Sequence, residues 1–281
     1  TRRPFETGYL KTQAPSGAVE LIEFNSKNLS TIKEAIKKSD VVVNLIGILF
    51  ETRKQKFLKI HTELPEIVSN LCREANLKKF IHLSAIGANK NSKSIYQKSK
   101  FFGEEKALMN FKNSVIIRPS VVCGREDNFT NLFSKLSFMP IIPIVGFNYK
   151  FQPVLVTDLA DVIIKAIEKK GNEGKIYEIG GPKILTFENM VRSILKTINK
   201  KRFVIEMPKA VAKFQGSIME LLPIKPILTK DQCEILSEAD NIVSNKELTI
   251  NDLNIKPKDV EQAMEKWLWR YRDGGEFAKA K

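Results

Sequence analysis

The sequence predicts an α/β fold of the Rossmann type, in which a doubly wound parallel sheet carries helices on both faces. Residues 41–49 form a continuous apolar run, which indicates a strand buried on both sides. Predicted strands and helices then alternate up to about residue 198, as expected for right-handed βαβ units. Beyond Pro208 the pattern changes to helices with proline and leucine between them. We therefore predict a Rossmann-like domain over residues 1–181 and a smaller, mostly helical C-terminal lobe over residues 182–281.

Hydrophobic periodicity assigns the individual elements. Strands are predicted at residues 19–24, 41–49, 80–83, 114–118, 151–156 and 176–179. Helices are predicted at residues 29–37, 57–74, from about 95 onward, 129–136, 159–169 and 187–198. Pro65 is expected near the start of the second helix or at a kink in it. Asp158 and Thr186 are expected to cap the last two helices, because short polar side chains accept hydrogen bonds from the first backbone N–H groups of a helix.

The composition excludes several classes of protein. The formal charge of +14 comes from lysines spread along the chain, which favours a generally basic composition over a dedicated surface for nucleic acid. Three distant cysteines indicate a reducing compartment without disulfides. The only two histidines, His61 and His82, lie in apolar contexts and indicate packing rather than a metal site. No apolar run of about eighteen residues is present, so a soluble or peripheral protein is expected.

Residues 79–106 carry the strongest chemical signal. Ser84 follows the strand at 80–83, and Tyr96 and Lys100 lie four residues apart, on one face of the next helix. An ammonium beside a phenol is expected to lower the phenol pKa, and the serine can hydrogen-bond the same oxygen or a substrate carbonyl. This arrangement suits proton transfer in hydride chemistry. An ordinary amphipathic pair is the alternative, but the position after a strand, where open α/β sheets hold ligands, favours a site.

A dinucleotide site of this fold begins with a strand, a glycine-rich turn and a helix that presents its N-terminus to the pyrophosphate. No glycine fingerprint precedes Gly8, and the isolated Gly47 does not form one. We therefore expect a unit of roughly 30 residues to be missing from the start of the sequence.

Seven short motifs carry a family resemblance. They lie at residues 43–47, 80–88, 96–104, 117–124, 151–156, 177–182 and 228–232. In this order and spacing they resemble the short-chain dehydrogenase/reductase superfamily, in its atypical extended branch. Within that branch the sequence is most similar to the NAD(P)H-binding accessory subunits of respiratory complex I and their bacterial relatives.

The resemblance implies a set of site residues. Ser84, Tyr96 and Lys100 match the active-site positions of the superfamily. Arg2 and Arg3 would lie beside the adenosine ribose, where arginine pairs with a 2′-phosphate, so NADP(H) is favoured over NAD(H). Two solvated arginines are the alternative. Further cofactor contacts are expected from Asn44, Leu45, Ile46 and Gly47 near a ribose, and from Pro119, Ser120 and Val121 near the nicotinamide.

Three functions remain open at this point. The first is an NAD(P)H-binding accessory or assembly subunit of complex I, in which the dinucleotide is mainly structural and no metal is bound. The second is an active NADP-dependent reductase or nucleotide-sugar epimerase that uses Ser84, Tyr96 and Lys100. The third and minor one is a basic relative that binds RNA. The first implies complex I subunits as partners and a location in the cytoplasm, on the inner face of a respiratory membrane, or on the mitochondrial matrix side in a eukaryote.

The carboxyl end allows two interpretations. Residues 260–277 are predicted to form a helix with Met264, Trp267, Leu268 and Tyr271 at helical spacing. These aromatic side chains either pack on the core of the protein or, together with Trp269, Arg270 and Arg272, form a docking edge for a membrane-embedded assembly.

Overall fold

A computed structural model describes residues 4–24, 29–221, 226–244 and 246–277. Its central strands are Val41–Asn44 (β1), Lys79–Leu83 (β2), Ser114–Pro119 (β3), Ile176–Ile179 (β8) and Leu248–Thr249 (β11). They form one parallel sheet in the spatial order β1-β2-β3-β8-β11. The side chains of Phe80 and Ile81 on β2 are fully buried although they point to opposite faces. The sheet is thus covered on both sides, which confirms the predicted doubly wound α/β fold.

Helices pack on both faces of this sheet. Their bounds are Ser30–Lys37 (α1), Leu64–Glu74 (α2), Ile95–Asn110 (α3), Phe129–Leu136 (α4), Val156–Glu168 (α5), Phe187–Thr197 (α6), Lys209–Leu221 (α7), Lys230–Ile235 (α8), Val260–Ala263 (α9) and Glu265–Leu268 (α10). Helices α1, α2 and α3 share a buried cluster with Phe80 and Ile116. Helix α5 packs with Ile81 and Val115 on the other face. A 3-10 helix at Pro4–Gln13 precedes these elements.

The helix predicted at residues 57–74 has two parts. A π-helix at Leu58–Glu63 runs directly into α2, and Pro65 lies in the first turn of α2. Because the helix is continuous through this point, the missing N–H and the ring of Pro65 disturb its regular backbone hydrogen bonds. The π-helical part approaches α3 closely at Gly103, where an added Cβ would lie only 1.8 Å from the His61 carbonyl oxygen.

Three pairs of short strands build the second part of the fold. Val122–Cys123 (β4) pairs with Val154–Leu155 (β7), and Ile141–Ile144 (β5) pairs with Phe203–Glu206 (β10), both in parallel. Lys150–Phe151 (β6) pairs antiparallel with Leu185–Thr186 (β9). Three strand pairings join residues on either side of the predicted division between residues 181 and 182: β5 with β10, β6 with β9, and β8 with β11. That division stays a prediction.

Two strand predictions need correction. No strand forms at residues 19–24, where every side chain is at least partly exposed and no neighbouring strand is paired with the segment in the described part of the chain. The strand predicted at residues 151–156 is broken at Gln152 and Pro153 into β6 and β7, because proline cannot donate to a strand ladder.

One of the two predicted caps is correct. The Thr186 hydroxyl accepts a hydrogen bond from the Asn189 N–H at 3.2 Å and caps α6. Asp158, in contrast, lies inside the first turn of α5, and Leu155 holds the cap position. The buried Asp158 carboxylate instead accepts a hydrogen bond from the Lys258 backbone N–H at 2.7 Å. It therefore ties α5 to the C-terminal segment.

The C-terminal segment is not the continuous helix predicted. It forms α9, α10 and two short 3-10 turns. Trp267 is buried and donates its indole N–H to the Thr130 hydroxyl at 3.2 Å, which confirms the packing interpretation for this residue. Arg270 donates to the Asn131 side chain and Arg272 to the Thr197 carbonyl. Both arginines thus bind within the protein, which argues against the docking edge.

The described residues contain no helix long and apolar enough to cross a membrane. Within the same ranges, no group of three or more histidine, cysteine or acidic side chains could hold a metal ion. Cys72, Cys123 and Cys233 are buried free thiols.

Candidate functional site

The predicted site residues lie at the carboxyl edge of the parallel sheet, where ligands of open α/β folds bind. Ser84 follows β2 directly, and Tyr96 and Lys100 lie in the first turns of α3. The loop after β1 crosses above them, since a Cβ added to Gly47 would lie 3.4 Å from Lys100 Nζ. One cavity is lined by the following predicted residues: Ser84, Tyr96, Pro119, Ser120 and Val121.

The Lys100 ammonium is buried at this edge. Its Nζ donates a hydrogen bond to the Leu83 carbonyl at 3.2 Å, and only 5% of the residue is exposed. Burial lowers the pKa of Lys100 to about 8, although the Glu104 carboxylate partly opposes this shift. The side chain is therefore a cation held directly below the loop at Gly47.

The expectation of a lowered phenol pKa at Tyr96 is wrong. Burial, reinforced by the Asp231 carboxylate, raises the pKa of Tyr96 to about 12. The Lys100 ammonium lies 5.9 Å from the centroid of the Tyr96 ring and donates to the Leu83 carbonyl. The ring also packs edge-on against Phe57 and His61. At neutral pH the phenol is a hydrogen-bond donor and not a base.

The Ser84 hydroxyl is a polar group available to a ligand. Ser84 is 4% exposed. Its hydroxyl lies near the Glu104 carboxylate and lowers the pKa of Glu104, but it makes no hydrogen bond of good geometry to any residue in the described ranges. A buried hydroxyl without a partner costs stability, so such groups in folded proteins call for an explanation. Because Ser84 and Tyr96 border the same cavity, a ligand oxygen placed there could accept hydrogen bonds from both.

Residues 16–272 match the RmlD substrate binding domain family. The chain belongs to this family. Its match covers nearly all of the described fold, including the sheet edge, α3 and the C-terminal lobe.

Several relatives of this RmlD-family chain are subunits of one respiratory enzyme. It is 28% identical over 270 residues to subunit 9 of the NADH dehydrogenase [ubiquinone] 1 alpha subcomplex, mitochondrial, of Rattus norvegicus, covering 95% of this chain and 71% of that one. It is 30% identical to the Arabidopsis thaliana protein of the same name, covering 95% and 69%. The NADH-ubiquinone oxidoreductase 40 kDa subunit of Neurospora crassa is 27% identical, with 98% and 73% covered.

Two solved structures of similar fold bear the names of sugar-nucleotide enzymes. A nucleoside-diphosphate-sugar epimerase from Staphylococcus aureus superposes with a TM-score of 0.71 at 12% identity, covering 89% of this chain and 84% of that one. A dTDP-4-dehydrorhamnose reductase from Bacillus anthracis, in complex with NADP, gives a TM-score of 0.65 at 15% identity, with 92% and 93% covered. Because the sequence identities are this low, the comparison establishes the Rossmann-type fold of this chain and nothing further.

The remaining residues that were predicted to contact the cofactor lie at several different positions in the fold. Leu45, Ile46 and Gly47 lie exposed in the loop after β1. The Asn44 side chain is buried, and its Oδ1 accepts from the Ile46 N–H at 3.1 Å, which shapes that loop. Ser120 Oγ donates to Asn241. Arg2 and Arg3 lie outside the described residues.

Both histidines belong to the site, a role that the sequence did not indicate. The Ile48 N–H donates to His61 Nε2 at 3.0 Å, so the ring proton is on Nδ1, which faces Ser99 Oγ at 2.9 Å. The Asn44 amide donates to His82 Nδ1 at 3.2 Å. Burial first, and then the Lys100 charge, lower the pKa of each histidine to about 3. Two neutral imidazoles therefore border the buried ammonium.

These histidines should make stability fall in mild acid. Their pKa values are depressed from 6.5 to about 3 in the folded state, so they contribute stability above pH 6.5 that is lost as the pH falls toward 3. The loss should approach about 1.4 kcal/mol per pH unit for each histidine. Urea denaturation between about pH 7 and pH 5 measures how the free energy of unfolding changes with pH. His82→Gln should roughly halve the slope of that free energy against pH. An unchanged slope in that variant would contradict the assignment.

A buried ionic network holds the middle of α3. Arg118 on β3 donates to both carboxylate oxygens of Glu104, at 2.9 and 2.7 Å, and lies 3.4 Å from Glu178. Glu178 also accepts from the Ser244 N–H at 2.7 Å. Burial raises the pKa of Glu104 despite the arginine. Since Glu104 is one turn beyond Lys100, this network fixes the helix that carries the site.

The C-terminal lobe caps the helix that carries the site. The Asp231 carboxylate of α8 accepts from the Ser94 hydroxyl at 2.7 Å and from the Ile95 N–H at 2.6 Å. Glu238 accepts from the Ser92 hydroxyl at 2.7 Å. A carboxylate near the first N–H groups of a helix is favoured by the helix dipole. The contact joins residues more than 130 positions apart, so no local signal in the sequence could have shown it.

Proposed function

We propose that this chain is a dinucleotide-binding accessory or assembly subunit of a respiratory NADH-ubiquinone oxidoreductase. In this role the dinucleotide is mainly a structural ligand. Three relatives that match about 95% of this chain or more bear the names of subunits of that complex. This match is the observation that carries the proposal, and the raised pKa of Tyr96, about 12, favours a structural role for the dinucleotide. A catalytic base works best when its pKa lies near the operating pH.

The residues present fit the nicotinamide half of a dinucleotide. The Lys100 ammonium lies under the open backbone at Gly47, where it would hold ribose hydroxyls. Ser84 offers a buried hydroxyl that makes no hydrogen bond of good geometry, although Glu104 lies nearby, and this hydroxyl would bind the nicotinamide end. When bound, the dinucleotide could supply a hydride, but structural binding requires only these contacts. On the sequence argument from Arg2 and Arg3, NADP(H) is the favoured form and NAD(H) the alternative.

An exposed apolar stripe supports assembly with other subunits. On α7, Val211, Phe214 and Ile218 are 54%, 70% and 46% exposed, and their spacing places them on one helix face. Contiguous exposed apolar surface of this kind marks interaction sites. The names of the relatives are mitochondrial, so we place the subunit on the matrix side of the inner membrane in a eukaryote, or on the cytoplasmic face in a bacterium, in peripheral association.

Replacing the buried ammonium tests this proposal. Lys100→Met keeps the packing of the side chain but removes a charge-assisted donor, so NADPH affinity of the full-length protein should fall roughly 10- to 100-fold. Thermal stability should change little, since a buried ammonium is itself costly. Incorporation into the respiratory complex on native gels should fall in parallel with dinucleotide content.

Lys98→Met is the matched control, because Lys98 is exposed on the same helix. It should leave both dinucleotide binding and incorporation unchanged. The proposal fails if Lys100→Met binds NADPH like the wild type, or if the wild-type protein never co-migrates with the complex.

An active reductase or epimerase is the second candidate function. The observation that favours it is that Ser84 and Tyr96 line one cavity, an arrangement in which their hydroxyls could polarise a carbonyl. Substrate-dependent oxidation of NADPH that Tyr96→Phe abolishes would support this candidate over the structural role.

A further inference from the structure

The cavity beside Ser84 and Tyr96 has walls of a defined chemistry. Its volume is about 670 Å³, within the range of roughly 300–1,000 Å³ typical of small-molecule sites. One wall consists of Phe129, Phe133, Phe151 and Phe187, whose ring centroids lie 5.1–5.7 Å from one another. Leucine and isoleucine side chains from the C-terminal lobe also line the cavity. The surface offered to a ligand is therefore largely apolar and aromatic.

The charged groups at this cavity are acidic. Among the described residues that line it, the charged side chains are Glu126 and Asp127, and no lysine or arginine is present. Nucleotide sugars carry a diphosphate, which proteins bind with cations or with the free N–H groups of a helix N-terminus. Of the two carboxylates, Glu126 is exposed and pairs with Arg125 at 3.8 Å, and Asp127 accepts from backbone N–H groups. The described lining thus supplies no cation for a diphosphate.

The helix N-termini near the cavity are already used. Asp127 accepts from the Thr130 N–H and from the Gly124 N–H, so its carboxylate occupies the start of α4. Asp231 occupies the start of α3 in the same way. Neither helix can offer those N–H groups to a phosphate without losing its cap.

The polar end of the cavity consists of hydroxyl donors. Ser84 Oγ is buried without a partner of good geometry, and the Tyr96 phenol borders the same space. Two hydroxyl donors side by side suit a neutral acceptor such as a carbonyl oxygen. The remaining lining would then bury a hydrocarbon chain, which is favourable by roughly 0.8 kcal/mol for each CH₂ group.

We propose that this cavity binds an uncharged, largely hydrocarbon carbonyl compound, with its oxygen at Ser84 and Tyr96, and does not bind nucleotide sugars. The inference rests on the proposed function, because it assumes that a dinucleotide is bound next to this cavity. The inference states which class of ligand binds in the cavity beside the dinucleotide.

The test compares 2-undecanone with UDP-glucose on the full-length, NADPH-loaded protein, by calorimetry and thermal shift. We expect saturable binding of 2-undecanone with a rise in melting temperature, and no binding of UDP-glucose. Leu132→Trp fills the cavity, since Leu132 lines it, and should weaken ketone binding roughly tenfold or more while NADPH still binds. Ile164→Trp, at an exposed position on α5, should leave ketone binding unchanged.

The outcomes separate this inference from the proposed function. Binding of UDP-glucose, or absence of ketone binding to a protein that holds NADPH, overturns the inference and leaves the proposed function intact. Ketone binding that Leu132→Trp abolishes, in a protein that does not bind NADPH, supports the inference and contradicts the proposed function. Equal ketone affinity in Leu132→Trp and the wild type places the ligand elsewhere and overturns the inference.

Discussion

Arg118→Met should destabilise the protein by about 3–5 kcal/mol, because it leaves a buried carboxylate without its cation. Glu104 is 2% exposed and receives two hydrogen bonds from this guanidinium. Glu178 loses a second contact at 3.4 Å. Urea denaturation at neutral pH, with a constant slope against denaturant concentration, measures the loss.

Arg192→Met provides the matched control for Arg118. Arg192 pairs with Glu188 one helical turn away, but its side chain is 54% exposed. Exposed pairs of this spacing contribute only about 0.3–0.5 kcal/mol, so this variant should unfold almost like the wild type. If Arg118→Met costs no more than the control, the network around Glu104 does not hold α3 in place.

Gly103→Ala should cost about 1–3 kcal/mol or more, as overpacking does in a tight interior. The added Cβ would lie 1.8 Å from the His61 carbonyl oxygen and 3.0 Å from the carbonyl carbon, so α3 and the π-helix must separate. Lys100 lies one turn earlier on α3, and dinucleotide affinity should therefore fall together with stability. Thermal unfolding and NADPH titration of the same preparation measure both effects.

Gly8→Ala is the control for this substitution, because a Cβ at Gly8 has no atom within 4 Å. It should change stability by no more than about 0.5 kcal/mol. Wild-type stability in Gly103→Ala would mean that the two helical segments yield without cost at this contact.

Much of the fold could be predicted from local patterns in the sequence. The strands β2, β3 and β8 are short segments rich in apolar residues, and α4 and α6 show clear helical periodicity. The prediction at residues 19–24 failed because apolar alternation does not specify a pairing partner. The Asp158 prediction failed because this carboxylate binds Lys258, a residue 100 positions away.

The position of the candidate site could be predicted from the sequence, but the pKa shifts of its residues could not. Residue spacing and family resemblance indicated Ser84, Tyr96 and Lys100, and the structure places all three at one edge of the sheet. The sign of the Tyr96 pKa shift depends on burial and on Asp231, which reach the phenol only through tertiary packing. The same holds for His61 and His82, whose contacts join segments far apart in the chain.

The Asp231 cap makes the two parts of the protein thermodynamically linked. A partner that draws α8 away from α3 would free the Ile95 N–H and the Ser94 hydroxyl, and would remove one of the two influences that raise the Tyr96 pKa. Dinucleotide affinity and partner affinity would then change by the same factor, because a coupling free energy between two binding sites is reciprocal. The nucleotide content of the subunit would accordingly differ between its free and its partner-bound state.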